Sequence, residues 1–200
     1  MYVTGMSVAP ARSASLGLPN ILTYGRIAAV PALVACLYFL DGDTARWSAF
    51  ALFAAAGITD WLDGYLARAW EQQSTLGAML DPIADKLLVG AALLMLVYTG
   101  TIARAAIWAA VIILCREILV SGLREFLAEL NVKVRVSVLA KWKTTVQMVS
   151  LAVLLAGPAV EKHAPGAEMI GIALLWLAAV LTLWTGYDYL KAGIKHAMSH

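Results

Sequence analysis

Apolar residues occupy this chain in long blocks separated by short polar breaks. Each block is close to the roughly 20 residues that a helix needs to cross about 30 Å of hydrocarbon. The pattern predicts six such helices, over residues 21–40, 47–69, 76–99, 102–115, 141–158 and 169–190. The fourth continues past its apolar part through Arg116, Glu117, Arg124, Glu125 and Glu129 as a helix leaving the bilayer. Asp41-Gly42-Asp43 and Gly100-Thr101 read as turns, and Glu71–Ser74, Asn131–Arg135 and Glu161–Glu168 as polar loops. Pro31 predicts a kink in the first helix, whereas Pro82 falls early enough in the third to be tolerated. No repeat of fixed period is visible.

Composition agrees with the periodicity. The chain is 62% hydrophobic and 14% charged over 200 residues, against about half and about a quarter in soluble domains. The expected fold class is therefore all-α integral membrane, with six transmembrane helices. Residues 1–18, rich in Ala, Ser and Gly without an apolar core, read as an N-terminal cytoplasmic segment and not as a cleavable signal. Residues 19–200 read as a single transmembrane catalytic domain. A net charge of +2 leaves no footprint for nucleic acid. Cys36 and Cys115 lie in apolar segments and read as packing residues.

Orientation follows from the basic residues. Arg12, Arg68, Arg124, Lys133, Arg135, Lys141, Lys143, Lys191 and Lys195 collect on one side, and only Arg46, Arg104 and Lys162 on the other. Six spans with both termini cytoplasmic satisfy that bias. Trp184, Tyr187 and Tyr189 beside Lys191 read as an interfacial anchor.

One stretch breaks the apolar pattern. Asp60, Asp63, Asp81 and Asp85 fall inside two predicted spans, four of the 13 acidic residues of the whole chain. Taking an ion from water into hydrocarbon is costly, so intramembrane carboxylates face a cavity, a partner or a metal. At about 100° per residue, Asp60, Asp63, Gly64 and Ala67 share one helical stripe. Asp81 and Asp85, with Gly77 one turn earlier, share another. Two antiparallel helices joined near residues 70–74 bring the stripes together. Carboxylate oxygens are hard ligands that suit Mg²⁺ or Mn²⁺, and four of them can hold two divalent cations that clamp phosphate oxygens. His163, His196 and His200 lie far from the aspartates in sequence. Arg68 supplies a phosphate contact. The residues thus point to phosphoryl-group chemistry at a membrane surface. A divalent-cation transporter, or acids that only pair with bases, are the alternatives.

A second basic group lies beyond the aspartates. Arg116 and Arg124 are eight apart, roughly 80° around a helix, and Lys141 opens the next span at the same level. Three cations there suit an acceptor carrying its own phosphate. Lys143, two residues on, is expected to point elsewhere unless its side chain bends back.

The spacing Asp60-x2-Asp63-Gly64-x2-Ala67-Arg68-x8-Gly77-x3-Asp81-x3-Asp85 resembles the signature of the CDP-alcohol phosphotransferase family. The resemblance implies a six-helix membrane fold, a homodimer, and cleavage of a CDP-linked donor with release of CMP. It implies that Asp60, Asp63, Asp81 and Asp85 bind the metals, and that Asp85 is also the general base. Asp60, Gly64, Ala67 and Gly77 line the nucleotide, and Arg68 assists at the donor phosphates. Pro19-Asn20-Ile21-Leu22-Thr23 with Arg26 and Pro31, the stretch REILVSGLREFLAEL from Arg116, and KWKTTVQM from Lys141 are similar to the phosphatidylglycerophosphate synthases within that family. Ala140 departs from the glycine common there. This narrower resemblance implies Asn20 and Thr23 as further donor contacts and CDP-diacylglycerol as donor. It implies sn-glycerol 3-phosphate as acceptor, held by Arg116, Arg124 and Lys141, and a bacterial inner membrane as the location. Related transferases use inositol phosphate, serine or phosphatidylglycerol as acceptor.

Overall fold

The structure is a computed structural model that describes residues 18–70, 75–130 and 138–197. The side chains at 18–20, 61–70, 75, 76, 78, 129, 138, 188 and 192–197 lie outside that description. Expectations for residues 1–17, Lys133, Arg135 and the 71–74 and 131–137 loops also fall outside it, as do those for the side chains of Asn20, Asp63, Ala67, Arg68, Lys195 and His196, and for His200. The described residues are helical throughout their regular structure: α1 Leu18–Phe39, α2 Gly42–Trp70, α3 Thr75–Tyr98, α4 Ala106–Glu129, α5 Val138–Val160 and α6 Ala167–Ala197. Among the described residues, four helices are long and apolar enough to cross a membrane: Ile21–Phe39, Ala106–Ala128, Leu139–Val160 and Ala167–Lys191. That is the signature of a multi-pass membrane protein. Large apolar side chains such as Leu94, Trp108, Ile118, Val180 and Trp184 face outward, as a lipid-facing surface requires.

α1 runs through Pro31 as one helix, and α3 through Pro82. The fourth helix begins at Ala106, four residues later than its hydropathy suggests. After α3, Gly100 takes a positive φ of 74°, and the Ile102 N–H donates back to the Leu96 carbonyl at 3.0 Å. This turn tucks Ile102 into the core at 1% exposure, so its apolar character serves the bend and not the helix.

Each helix buries one stripe. Ala45, Ala49, Phe53 and Ala56 of α2, Leu88, Ala92, Leu93 and Leu96 of α3, and Leu151, Leu154 and Leu155 of α5 belong to one core cluster. Their spacings of three and four are those of a helix face. α1 packs on both α2 and α3, α5 packs on α2 and α6, and α4 packs on α6. The expected meeting of the α2 and α3 stripes therefore runs through α1, which lies against both.

Among the described glycines, the tightest packing is between α5 and α6. A Cβ built on Gly171 would stand 2.6 Å from Leu154 Cδ2 and 2.8 Å from Leu154 Cγ. The same carbonyl region is stitched across the interface, with Ser150 Oγ donating to the Gly171 carbonyl at 2.9 Å. Small residues at such crossings let backbones meet and pack without strain. At the end of the bundle remote from the aspartates, Lys162 Nζ pairs with both Asp43 oxygens at 2.6 and 2.7 Å. Glu161 closes the α5–α6 turn by accepting from the Gly166 and Glu168 N–H groups at 2.6 and 3.1 Å.

Two outcomes follow from this packing. Gly171→Ala is expected to destabilise by about 1–3 kcal/mol through overpacking against Leu154. Gly122→Ala, where a Cβ meets nothing within 4 Å, is expected to gain about 0.5–1 kcal/mol from helix propensity. Thermal unfolding in detergent compares the two, and equal effects would refute the close-packing account. Backbone N–H donors hold the Glu161 carboxyl below its ordinary value of 4.5. Its stabilisation is then complete above about pH 4.5 and is lost as pH falls through the depressed folded value. The stability gap between the wild type and Glu161→Gln should narrow on acidification; a gap that widens would refute the capping role.

Candidate active site

The feature that organises the site is a cation absent from the aspartate motif. Arg26 lies on α1 in the same stripe as Thr23, Leu33 and Leu37, where a helix facing a core would carry an apolar residue. It is 1% exposed. Its Nη2 stands 2.9 Å from Asp60 Oδ1 of α2, and its Nη1 3.1 Å from Asp85 Oδ1 and 3.9 Å from Asp81 Oδ1 of α3. Thr23, one turn earlier, donates its hydroxyl to Asp81 Oδ1 at 2.6 Å. Three of the four motif aspartates thus converge on one guanidinium, from two different helices. Their side chains remain 46%, 42% and 49% exposed for Asp60, Asp81 and Asp85. Gly77 is buried in the first turn of α3, while Gly64, Ala67 and Arg68 follow Asp60 along the backbone of α2.

Among the described residues, no three acidic, histidine or cysteine side chains are grouped closely enough to hold a metal ion. The donor set nevertheless has the right chemistry. It consists of half-exposed hard oxygen ligands, and among the described side chains three carboxylates surround one guanidinium, which leaves an excess of negative charge. A divalent cation fits that excess.

The cavity holds about 480 Å³ and is bounded by α2, α3, α4 and α5. Asp60 and Asp85 stand at one part of its wall, and Arg116, Arg124, Lys141 and Lys143 at another. The structure therefore places the sequence-predicted acceptor cations and two of the aspartates around one space. Met148 closes α5 against α2, for a Cβ on Gly57 would come within 3.2 Å of its Cε. That contact lies one turn before Asp60.

Three of the four basic residues are individually anchored. Arg116 donates from Nε to the Thr182 carbonyl at 3.1 Å, from Nη2 to Thr185 Oγ1 at 2.9 Å, and from Nη1 to Glu117 at 3.4 Å. Gly186 makes room for it, since a Cβ there would stand 3.3 Å from Arg116 Cγ. Arg124 lies over the ring of the buried Tyr189, 5.5 Å from its centroid, and reaches the Tyr189 hydroxyl at 3.4 Å. Tyr189, expected as an interfacial anchor, is instead 3% exposed and acts as a platform for Arg124. Lys141 is exposed at the rim.

Lys143 corrects a sequence expectation. It does not turn away from the site but lines the cavity at 4% exposure, ion-paired to Glu117. The reason is reach: a four-carbon stem bends toward the carboxylate, and a buried ammonium needs a partner. Arg26, Glu117, Lys143 and Gln147 are the site residues that spacing on the aspartate helices could not reveal. For Arg26 a signal existed, since a cation interrupts the buried stripe Thr23, Leu33 and Leu37.

Comparison with known proteins matches this arrangement to one family. The sequence profile of the CDP-alcohol phosphatidyltransferases covers residues 16–184. The chain is 45% identical to a CDP-diacylglycerol–glycerol-3-phosphate 3-phosphatidyltransferase of Rickettsia bellii, over 90% of this chain and 96% of that protein. It is 38% identical to a protein of the same name from Cereibacter sphaeroides, again over 90% and 96%. A cardiolipin synthase (CMP-forming) of rice is 40% identical over 88% of this chain and 57% of its own length. With its aspartates drawn from two helices around one cavity and that profile running along most of its length, the chain belongs to the CDP-alcohol phosphatidyltransferase family.

Proposed function

We propose that this protein transfers the phosphatidyl group of CDP-diacylglycerol to sn-glycerol 3-phosphate, releasing CMP. The observation that carries the reading is the shared cavity, with carboxylates on one part of its wall and four cations on another. A phosphate-bearing acceptor needs both: basic groups to hold its dianion, and a carboxylate to take the proton of its attacking hydroxyl. The names of the relatives from Rickettsia bellii and Cereibacter sphaeroides support the same donor and acceptor.

In this mechanism Asp60, Asp63, Asp81 and Asp85 would hold two divalent cations, Mg²⁺ or Mn²⁺, which would supply charge neutralisation at the donor pyrophosphate. Gly64, Ala67 and Gly77 leave room for the nucleotide, with Asn20 nearby and Arg68 at the donor phosphates. Thr23 serves the donor side indirectly, by fixing the Asp81 carboxylate through its hydrogen bond. Arg124, Lys141 and Lys143 bind the acceptor phosphate. Arg116 spends three donors on the protein and presents the rest of its guanidinium to the same anion. Asp85 accepts the proton of the acceptor 1-hydroxyl as its oxygen attacks the β-phosphorus, and the bond to CMP breaks. Positioning and fixed charge carry most of the catalysis. No covalent intermediate is required.

The protein works from a bacterial-type inner membrane as six spans, with α2 and α3 crossing alongside the four more apolar helices. Residues 19–200 form one catalytic domain that pairs as a homodimer, and residues 1–18 stay cytoplasmic with both termini and the site. The positive-inside bias supports this orientation.

Asp85→Asn is expected to lower the rate of CMP release by at least about 100-fold, the scale of lost general-base catalysis, while Arg26, still paired with Asp60 and Asp81, keeps the variant folded in detergent. Full activity in a well-folded variant would exclude Asp85 as the base. The acceptor is settled by supplying CDP-diacylglycerol with glycerol 3-phosphate, inositol phosphate, serine or phosphatidylglycerol in turn, each with and without added Mg²⁺ or Mn²⁺, and measuring CMP. Turnover is expected with the first alone. Turnover with phosphatidylglycerol instead would favour the activity named for the rice relative.

A further inference from the structure

Of the polar groups in the cavity wall that the mechanism above leaves unassigned, Lys86 and Thr144 among them, one is buried with an unpaired acceptor. Gln147 of α5 is 2% exposed, and its Oε1 has no hydrogen-bond partner among the described residues. A buried acceptor without a donor is costly, so a native fold retains one where a ligand or water supplies the missing proton. Gln147 lines the same cavity as Asp85 and Lys143.

Its location along α5 is informative. Lys143 and Gln147 are four residues apart and both buried, so they share a face, with Gln147 about 6 Å further along the axis. The next residue, Met148, abuts α2 at Gly57, one turn before Asp60. Gln147 thus stands at the junction between the cations and the aspartates. Its chemistry also differs from its neighbours. Lysine and arginine can only donate, and Glu117 is an anion whose Oε1 is taken by Lys143 and Arg116. Gln147 offers a neutral carbonyl oxygen, which is complementary to a neutral hydroxyl.

We propose that Gln147 is a specificity-determining residue that accepts a hydrogen bond from the secondary hydroxyl of a polyol-phosphate acceptor. The proposal rests on the transferase reading above. A molecule with phosphate at one end and the attacking hydroxyl at the other places its central hydroxyl between those two sites. Engaging that hydroxyl fixes which way the carbon chain turns and so presents the primary hydroxyl to Asp85. A site built around such a bond rejects the analogue that lacks it, because the buried acceptor is then left unpaired.

The test compares sn-glycerol 3-phosphate with 3-hydroxypropyl phosphate, which lacks only the secondary hydroxyl, in the full-length protein and in Gln147→Met. The wild type is expected to favour glycerol 3-phosphate by about 10- to 100-fold in kcat/KM, the range for a polar group left unpaired. In Gln147→Met that preference should fall to within about 3-fold, through loss on glycerol 3-phosphate alone, with the KM for CDP-diacylglycerol unchanged. A wild type that uses both acceptors equally would overturn the proposal without recourse to any variant. So would a variant that keeps the preference, or one that loses activity on both acceptors in parallel. If the wild type turns over neither acceptor but does use serine or phosphatidylglycerol, the transferase's acceptor assignment fails first, and this proposal with it.

Discussion

A fully buried guanidinium sets the terms for the catalytic end of this protein. Arg26 sits where α1 should be apolar, and carboxylates, among them those of Asp60, Asp81 and Asp85, make that burial tolerable. A buried charge stripped of its partners costs several kcal/mol, so the association of α1 with α2 and α3 is inseparable from the geometry of the aspartates. The converse also holds. Three carboxylates from two helices would repel one another, and the guanidinium draws them to a common point. What remains is an excess of negative charge facing the cavity, which is what a site for cations and phosphates requires.

The basic part of the cavity follows a different rule. Three of its four cations are held by something that is not a substrate: Arg116 by the carbonyl and hydroxyl of α6, Arg124 by the face of Tyr189, and Lys143 by Glu117. Long, flexible cations lose much of their binding energy in being ordered. Anchoring them in the empty protein removes that cost from the binding step. None of the described side chains of α6 lines the cavity, yet α6 supplies most of these anchors. Its function is to set the guanidinium groups of α4.

These two halves were unequally legible in the sequence. Helix count and approximate limits were readable from hydropathy because length and apolar run are local properties. The start of α4 was misjudged because Ile102 is apolar for the sake of a turn whose carbonyl partner lies in the preceding helix. The aspartates stood out as costly charges in apolar segments. Arg26 carried the same cost but was one charge among fifteen, and its significance depends on partners 34 to 59 residues away. Lys143 was misjudged for a related reason. Helical spacing fixes where a Cβ points, but not where an ammonium four carbons further on comes to rest.

The unread part of the site is therefore concentrated on α5, and α5 is also where core packing and catalysis meet. Its inner face carries Lys143 and Gln147 toward the cavity and, one and two turns on, Ser150 and Leu154 toward α6. Gly171 receives both of the latter, one by hydrogen bond and one by close contact. Those contacts fix how far α5 can slide along α6, and α6 in turn fixes Arg116 and Arg124. A shift of α5 by a single residue would move Lys143 and Gln147 about 1.5 Å past the arginines, and a misplacement of about 1 Å can cost about 100-fold in rate. The glycine in the apolar half of the bundle is thus part of the apparatus that keeps the cations and the carboxylates in register, although it touches none of them.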